Sequence, residues 1–87
     1  MSVTVELTYE MSKVVGAETF EVDGTGTVED VIRRTREKFG AKGDEFEKLS
    51  RVTAIAVNGV LVNYRKGLKT AVSDGDTVGF VKASAGG

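Results

Sequence analysis

The chain has 87 residues, 40% of them hydrophobic, so it suits one small domain with a single core and has no room for a deep substrate cleft. Its 12 basic and 13 acidic residues nearly balance, which argues against nucleic-acid binding. It contains no Cys, no His and no long apolar run, which excludes disulfides, thiolate or His-based catalysis and a membrane span. We therefore expect a soluble cytoplasmic protein and do not expect an active site enclosed wholly within this chain.

Two alternating segments near the N-terminus predict a β-hairpin. Apolar and polar residues alternate strictly over 3–9, which predicts a strand whose core-facing side chains are Val3, Val5, Leu7 and Tyr9. Residues 11–16 are compatible with one or two helical turns. The alternation returns over 19–23 and predicts the second strand, which a turn over 23–26 follows.

The main helix is predicted from its cap and its apolar stripe. Thr27 and Asp30 have the spacing of a capping box, which places the helix start at Val28, and Gly40 marks its end. The stripe that faces the sheet consists of Val28, Val31, Ile32, Thr35 and Phe39. A second, shorter helix is predicted over 44–49.

Three further strands are predicted in the C-terminal half. The apolar run 53–57 suits an inner strand, and Asn58-Gly59 is a strong hairpin signal that pairs it with 60–62. A turn over 74–76 precedes the last strand, 77–81. The order β-β-α-(α)-β-β-β predicts an α+β fold, with a mixed sheet of four to five strands packed on one main helix and the last strand beside the first.

The chain finishes in five small residues after Lys82, namely Ala83, Ser84, Ala85, Gly86 and Gly87. We predict a domain over 1–82 and a flexible tail over 83–87, which in extended form reaches about 16–18 Å. Small side chains fit a narrow channel, and two glycines let an enzyme close on the backbone near the terminal carboxylate. The chemistry is then expected at Gly87.

The end of the sequence, DGDTVGFVKASAGG, resembles that of the MoaD/ThiS family of ubiquitin-like sulfur carriers, and most of all the molybdopterin synthase small subunit. The resemblance covers nearly the whole chain and implies a β-grasp fold. One departure is that Lys82-Ala83 stands where the molybdopterin subunits usually carry Pro-Pro.

The resemblance implies that a ubiquitin-activating-type enzyme uses ATP to adenylate the carboxylate of Gly87, next to Gly86. Sulfur then displaces AMP and leaves a thiocarboxylate, which a partner such as a molybdopterin synthase large subunit receives. The resemblance thus implies that the chain is a substrate of the adenylating enzyme and not itself an enzyme, and that it binds no cofactor and no metal. Two alternatives stay open: a ubiquitin-like modifier joined to lysines through Gly87, or a plain binding module.

Partner contacts are predicted at three places: the tail, Ala83 to Ala85; the residue from which the tail starts, Lys82, which we call the tail root; and the sheet. Along the last strand Val78 and Phe80 share one face, while Gly79 and Val81 share the other with Ala54 and Ala56. If the helix covers the first pair, the second group forms an open patch; otherwise Phe80 is the exposed anchor. Lys82, at the tail root, is included with these contacts.

Two polar segments have simpler interpretations. The loop 64–69 carries three positive charges, including Arg65 and Lys66, and is either a solvated loop or a docking site for an acidic partner. Residues 24–27, which contain two glycines, are interpreted as a turn, because the Gly-Lys-Ser/Thr sequence of a phosphate-binding loop does not follow them. Asp74 and Asp76 are also interpreted as turn residues, because two carboxylates without further ligands hold a metal ion poorly.

Overall fold

The computed structural model describes residues 1–24 and 26–82, and its elements follow the predicted order closely. The α-helices are α1 (Tyr9–Val15), α2 (Val28–Phe39) and α3 (Ala41–Ser50). The strands are β1 (Ser2–Glu6), β2 (Thr19–Asp23), β3 (Gly26–Thr27), β4 (Ala54–Val57), β5 (Val60–Leu61), β6 (Ala71–Val72) and β7 (Thr77–Val81). Two 3-10 turns, Val62–Tyr64 and Gly67–Lys69, connect β5 to β6.

Five strands form a mixed sheet in the order β2-β1-β7-β4-β5, and β3 pairs separately with β6. The first and last strands are parallel neighbours, with Val5 opposite Val78, and the other pairs are antiparallel. The prediction that the last strand lies centrally beside the first is confirmed. Asn58 and Gly59 have positive φ values, 50° and 85°, as the predicted tight β4–β5 turn requires.

Helix α2 begins at the predicted capping box. The Thr27 N–H donates to Asp30 Oδ2 at 2.9 Å, and the Asp30 N–H donates to Thr27 Oγ1 at 3.3 Å. The hydrogen bond from the Thr27 backbone, with a further one from Arg33, lowers the pKa of Asp30. The predicted stripe is buried, apart from Phe39, which packs at the edge of the core.

Helix α3 is longer than the predicted segment 44–49 and crosses close to α2. Gly43 permits this approach, because a Cβ at that position would collide with the backbone carbonyl of Arg36. The close packing brings Phe46 into the centre of the core, where it is fully buried. One cluster contains the buried hydrophobic residues of all three helices together with those of the inner face of the sheet.

The prediction that Tyr9 faces the core is wrong. The side chain of Thr8 accepts a hydrogen bond from the Met11 N–H and caps α1, so the chain leaves the sheet after Glu6. Tyr9 therefore starts a helix and is 71% exposed.

Candidate functional site: the last strand and its surroundings

Strand β7, which precedes the tail, is fixed at the centre of the sheet by its inner side chains. Val78 is fully buried, and Phe80 is only 4% exposed. The ring of Phe80 meets that of Phe46 edge to face, with centroids 5.5 Å apart. The alternative in which Phe80 lies on the open face as a partner anchor is therefore wrong, because its side chain is part of the core.

The opposite face of β7 forms an apolar patch, which we define as Ala54, Ala56, Gly79 and Val81. The register of β4 against β7 places Ala54 opposite Val81 and Ala56 opposite Gly79, and therefore all four on one face. None of them belongs to the buried core cluster that the helices cover. Val81 is 42% exposed, whereas Ala56 is nearly buried, so most of the accessible surface comes from the other three residues.

The same face is polar on its other half, where β1 and β2 lie. Thr4, Glu6 and Glu21 point outward there, since they alternate with the buried Val3, Val5 and Val22. Ser2 Oγ donates to Glu21 Oε1 at 2.6 Å. The outer face of the sheet thus has an apolar half next to an acidic half.

A second apolar surface, the tail-root groove, lies beside the last described residues. It has a volume of about 540 Å³, and its lining includes Tyr9, Leu49, Val52, Val81 and Lys82. Tyr9 and Val52 are large apolar side chains that are mostly exposed. Neither residue was predicted to contact a partner. The sequence did offer a signal for Tyr9, because identifying Thr8 as a helix cap would have placed Tyr9 on an exposed helix start instead of in the core.

The start of β7 is braced by a polar network. Asp76 accepts hydrogen bonds from the side-chain amide of Asn58, at 3.1 Å, and from the Ser73 N–H, at 2.8 Å. These two bonds, with that from Asn58 the larger influence, lower the pKa of Asp76. The Thr77 N–H donates to Asn58 Oδ1 at 2.9 Å. This arrangement supports the interpretation of 74–76 as a structural turn.

The structure separates the predicted docking residues into two groups. Ala54, Ala56, Gly79, Val81 and Lys82 come together near the tail root. Arg65 and Lys66 lie near Val60, at the other end of the sheet, because Val60 pairs with Val57 and Val57 with Val78. The predictions for Ala83, Ser84, Ala85, Gly86 and Gly87 lie outside the described residues.

The described residues also bear on two other kinds of site, a metal centre and a membrane span. Across 1–24 and 26–82, no group of three or more acidic side chains is placed to hold a metal ion. No helix in the same ranges is long and apolar enough to cross a membrane.

A mixed sheet with parallel first and last strands at its centre and a helix packed across one face defines a β-grasp, ubiquitin-like domain. The sequence profile of the ThiS family matches residues 5–87. The chain therefore belongs to the ThiS family of ubiquitin-like sulfur carriers. No curated protein sequence matches it significantly.

Solved structures agree with this placement. The chain is 30% identical to a chain of the Amycolatopsis orientalis BexX/CysO complex, with a TM-score of 0.78 and coverage of 98% of this chain and 99% of that one. For Mycobacterium tuberculosis CysO the identity is 26%, the TM-score 0.78 and the coverage 94% and 99%. For a chain of the complex of molybdopterin-converting factor subunits 1 and 2 from Helicobacter pylori, the values are 22%, 0.67, and full coverage of both chains.

Proposed function

We propose that this protein is a sulfur carrier whose Gly87 carboxylate is adenylated by a partner enzyme and converted to a thiocarboxylate. The observation that carries the proposal is the family match, which runs through the Gly-Gly end of the sequence. The apolar patch and the tail-root groove support it, because both flank the strand from which the tail leaves.

The proposed chemistry needs little from this chain. A terminal carboxylate, with an ordinary pKa of about 3.3–3.7, is ionised at neutral pH and attacks the α-phosphorus of ATP, so that pyrophosphate leaves. Hydrosulfide or an equivalent sulfur nucleophile then adds to the acyl carbon, and AMP leaves with its electron pair. Because the chain contains neither His nor Cys, we assign the general base and any thiol to the partner, and the chain acts as substrate.

The described residues would position the tail for this reaction. Phe80 holds the end of β7 in the core, two residues before Lys82. The five residues that follow, if extended, span about 16–18 Å, so a partner seated on the apolar patch can receive Gly87 in a channel that the domain itself does not enter. Docking and chemistry are thereby divided between the sheet and the tail.

Protein partners are a feature of the relatives. The Amycolatopsis CysO is found in a complex with BexX, and the Helicobacter chain in a complex of two subunits. Identity to the two CysO proteins is higher than to the molybdopterin-converting factor. We therefore propose two sulfur acceptors to test. The first is a separate partner protein, as BexX is for the Amycolatopsis chain, and the second is a molybdopterin synthase large subunit, which the sequence motif favours.

The test is the intact mass of the protein recovered from its own cells, before and after treatment with a thiol-alkylating reagent. The chain has no Cys, so a rapidly alkylated species must carry its sulfur elsewhere. We expect a mass gain of one oxygen-to-sulfur exchange, shifted by alkylation and mapped by fragmentation to Gly87. Oxidation of the exposed Met1 gives a similar gain but no alkylation.

The matched control is a variant that lacks Gly86 and Gly87, which should show no alkylated species. An unmodified C-terminus in cells with an active adenylating enzyme and supplied sulfur would overturn the carrier proposal. Isopeptide-linked adducts through Gly87, without any thiocarboxylate, would establish the modifier alternative instead.

A further inference from the structure

A second groove, far from the tail root, carries three cations. This basic groove has a volume of about 580 Å³ and is lined by Val60, Tyr64, Arg65, Lys66, Lys69, Thr70 and Ala71. It lies where β5, the two 3-10 turns and β6 meet the start of α2, since the Val28 N–H donates to the Thr70 carbonyl at 3.0 Å. Val81 lies at the opposite end of the sheet.

The cations of this groove have no carboxylate partner among residues 1–24 and 26–82. By contrast, three arginines of the helical layer are paired: Arg33 with Asp30, Arg36 with Asp44 and Glu47, and Arg51 with Glu47. No acidic residue occurs in the sequence from 59 to 73. The groove therefore has a local positive charge on a protein whose net charge is −1.

The backbone that carries the cations is held in place. The Lys66 N–H donates to Thr70 Oγ1 at 3.2 Å, and the Thr70 N–H donates to the Gly67 carbonyl at 3.0 Å. The Arg65 N–H donates to the Val62 carbonyl at 2.9 Å. Together with the bond from Val28, these contacts fix the loop against α2. A ligand would therefore order side chains only, which reduces the entropic cost of binding.

Exposed apolar side chains stand beside the charges. Tyr64 is 81% exposed, and Val60, on the edge strand, is 38% exposed. An aromatic ring and a branched side chain next to guanidinium and ammonium groups suit a ligand that alternates carboxylates with an apolar residue. Three cations are few for a nucleic-acid backbone, which is bound through many phosphate contacts.

We propose that the basic groove binds a short acidic peptide segment of a partner protein. The occupant would pair its carboxylates with Arg65, Lys66 and Lys69 and lay an apolar side chain on Tyr64. Val60 lies at the end of the β4–β5 pair that is opposite to Ala54 and Val81, so a peptide in the groove leaves the tail root uncovered. The proposal goes beyond the proposed function and does not depend on any reaction at Gly87.

The test is an NMR titration of the isotopically labelled full chain with an acetylated peptide, Glu-Asp-Glu-Leu-Asp-Glu-Asp. A second peptide, in which Gln and Asn replace every acid, is the ligand control. We expect amide shifts confined to 60–71, weaker binding as salt is raised, and none with the neutral peptide. The triple variant R65Q/K66Q/K69Q should weaken binding at least tenfold, and Tyr64→Ala several-fold.

The matched control variant is K38Q/K42Q/K48Q, which removes the same charge from exposed lysines of α2 and α3. Its binding should equal that of the wild type. Equal losses in both triple variants would mean general charge attraction and would overturn the proposal, as would shifts centred elsewhere or no binding at millimolar peptide. Tighter binding of single-stranded DNA or of anionic lipid vesicles to the same residues would overturn the assignment to a peptide.

Discussion

The two faces of β7 differ in burial, so substitutions on the two faces should have different effects. On the inner face Val78 and Phe80 are packed into the core, and on the outer face Gly79 and Val81 belong to the apolar patch. Core positions and positions of the proposed docking surface therefore alternate along one five-residue strand. Neighbouring substitutions in β7 should separate loss of stability from loss of partner binding.

The largest expected effect is that of Phe80→Ala on the inner face. Loss of the ring leaves a cavity against Phe46, and we expect a fall of about 3–5 kcal/mol in the free energy of unfolding. That is a large part of the total for a small domain. Urea denaturation followed by circular dichroism measures it. A loss below about 1 kcal/mol would show that the core does not depend on this contact and would break the comparison.

Gly79→Arg should act on docking alone. A Cβ at Gly79 would meet only Glu6 Oε1, at 3.8 Å, so the strand has room for a side chain. We expect the free energy of unfolding to stay within about 1 kcal/mol of the wild-type value. In ATP–pyrophosphate exchange by the adenylating enzyme, we expect kcat/KM to fall at least tenfold.

The control for this prediction is Thr4→Arg, which adds the same charge to the polar half of the outer face. It should react like wild type. If kcat/KM falls equally in the two variants, the partner contacts the whole outer face and not the apolar patch alone. If Gly79→Arg leaves the exchange rate unchanged, the apolar patch is not a docking surface.

Val52→Ser tests whether the tail-root groove adds to docking. The side chain is mostly exposed, so stability should change by less than about 0.5 kcal/mol. We expect kcat/KM for adenylation to fall by roughly two- to fivefold, as for an exposed apolar contact at an interface rim. Leu68→Ser, at an exposed apolar position elsewhere, is the control and should leave the rate unchanged. Equal rates for the two variants would confine docking to the outer face.

The smallest effect concerns the start of β7 and depends on pH. Asp76 has a lowered pKa in the folded chain, so its stabilising effect is present above the ordinary carboxyl pKa, near 3.8, and is lost as the pH falls through the folded value. Asp76→Asn should be less stable than wild type at neutral pH and equal to it in strong acid. Urea denaturation at both pH values measures the difference.

Glu45→Gln, at an exposed position on α3, provides the control for the loss of one negative charge. It should track the wild type at both pH values. If the difference in free energy of unfolding between Asp76→Asn and wild type persists unchanged in acid, the amide destabilises the turn by its shape, and the charge of Asp76 does not contribute.

Local signals were sufficient to predict most of the fold. The capping box of Thr27 and Asp30 placed the start of α2 correctly, and Asn58-Gly59 placed the β4–β5 turn. Each signal works through hydrogen bonds or φ angles within a few residues, so the sequence expresses it directly. The Gly-Gly end, taken together with the DGDTVGF run before it, indicated a family that the profile match confirms.

Exposure was harder to predict, because it depends on distant elements. Alternation showed that Phe80 and Gly79 lie on opposite faces, but only the packing of α3 shows which face is buried. Tyr9 continued the alternation of β1 and was assigned to the core, although the Thr8 cap had already turned the chain into α1. The exposure of Val52, next to the tail root, likewise follows from where α3 ends.

The parallel pairing of β1 with β7 also affects the order of events during synthesis. Thr4 pairs with Thr77, so this ladder joins segments from opposite ends of the sequence and carries the loop-closure cost of a long-range contact. The apolar patch needs both β4 and β7, and it is complete only after β7 has entered the sheet. A partner that docks on this patch would bind only chains that have finished folding. Incompletely folded chains would therefore not be adenylated, and no ATP would be consumed on them.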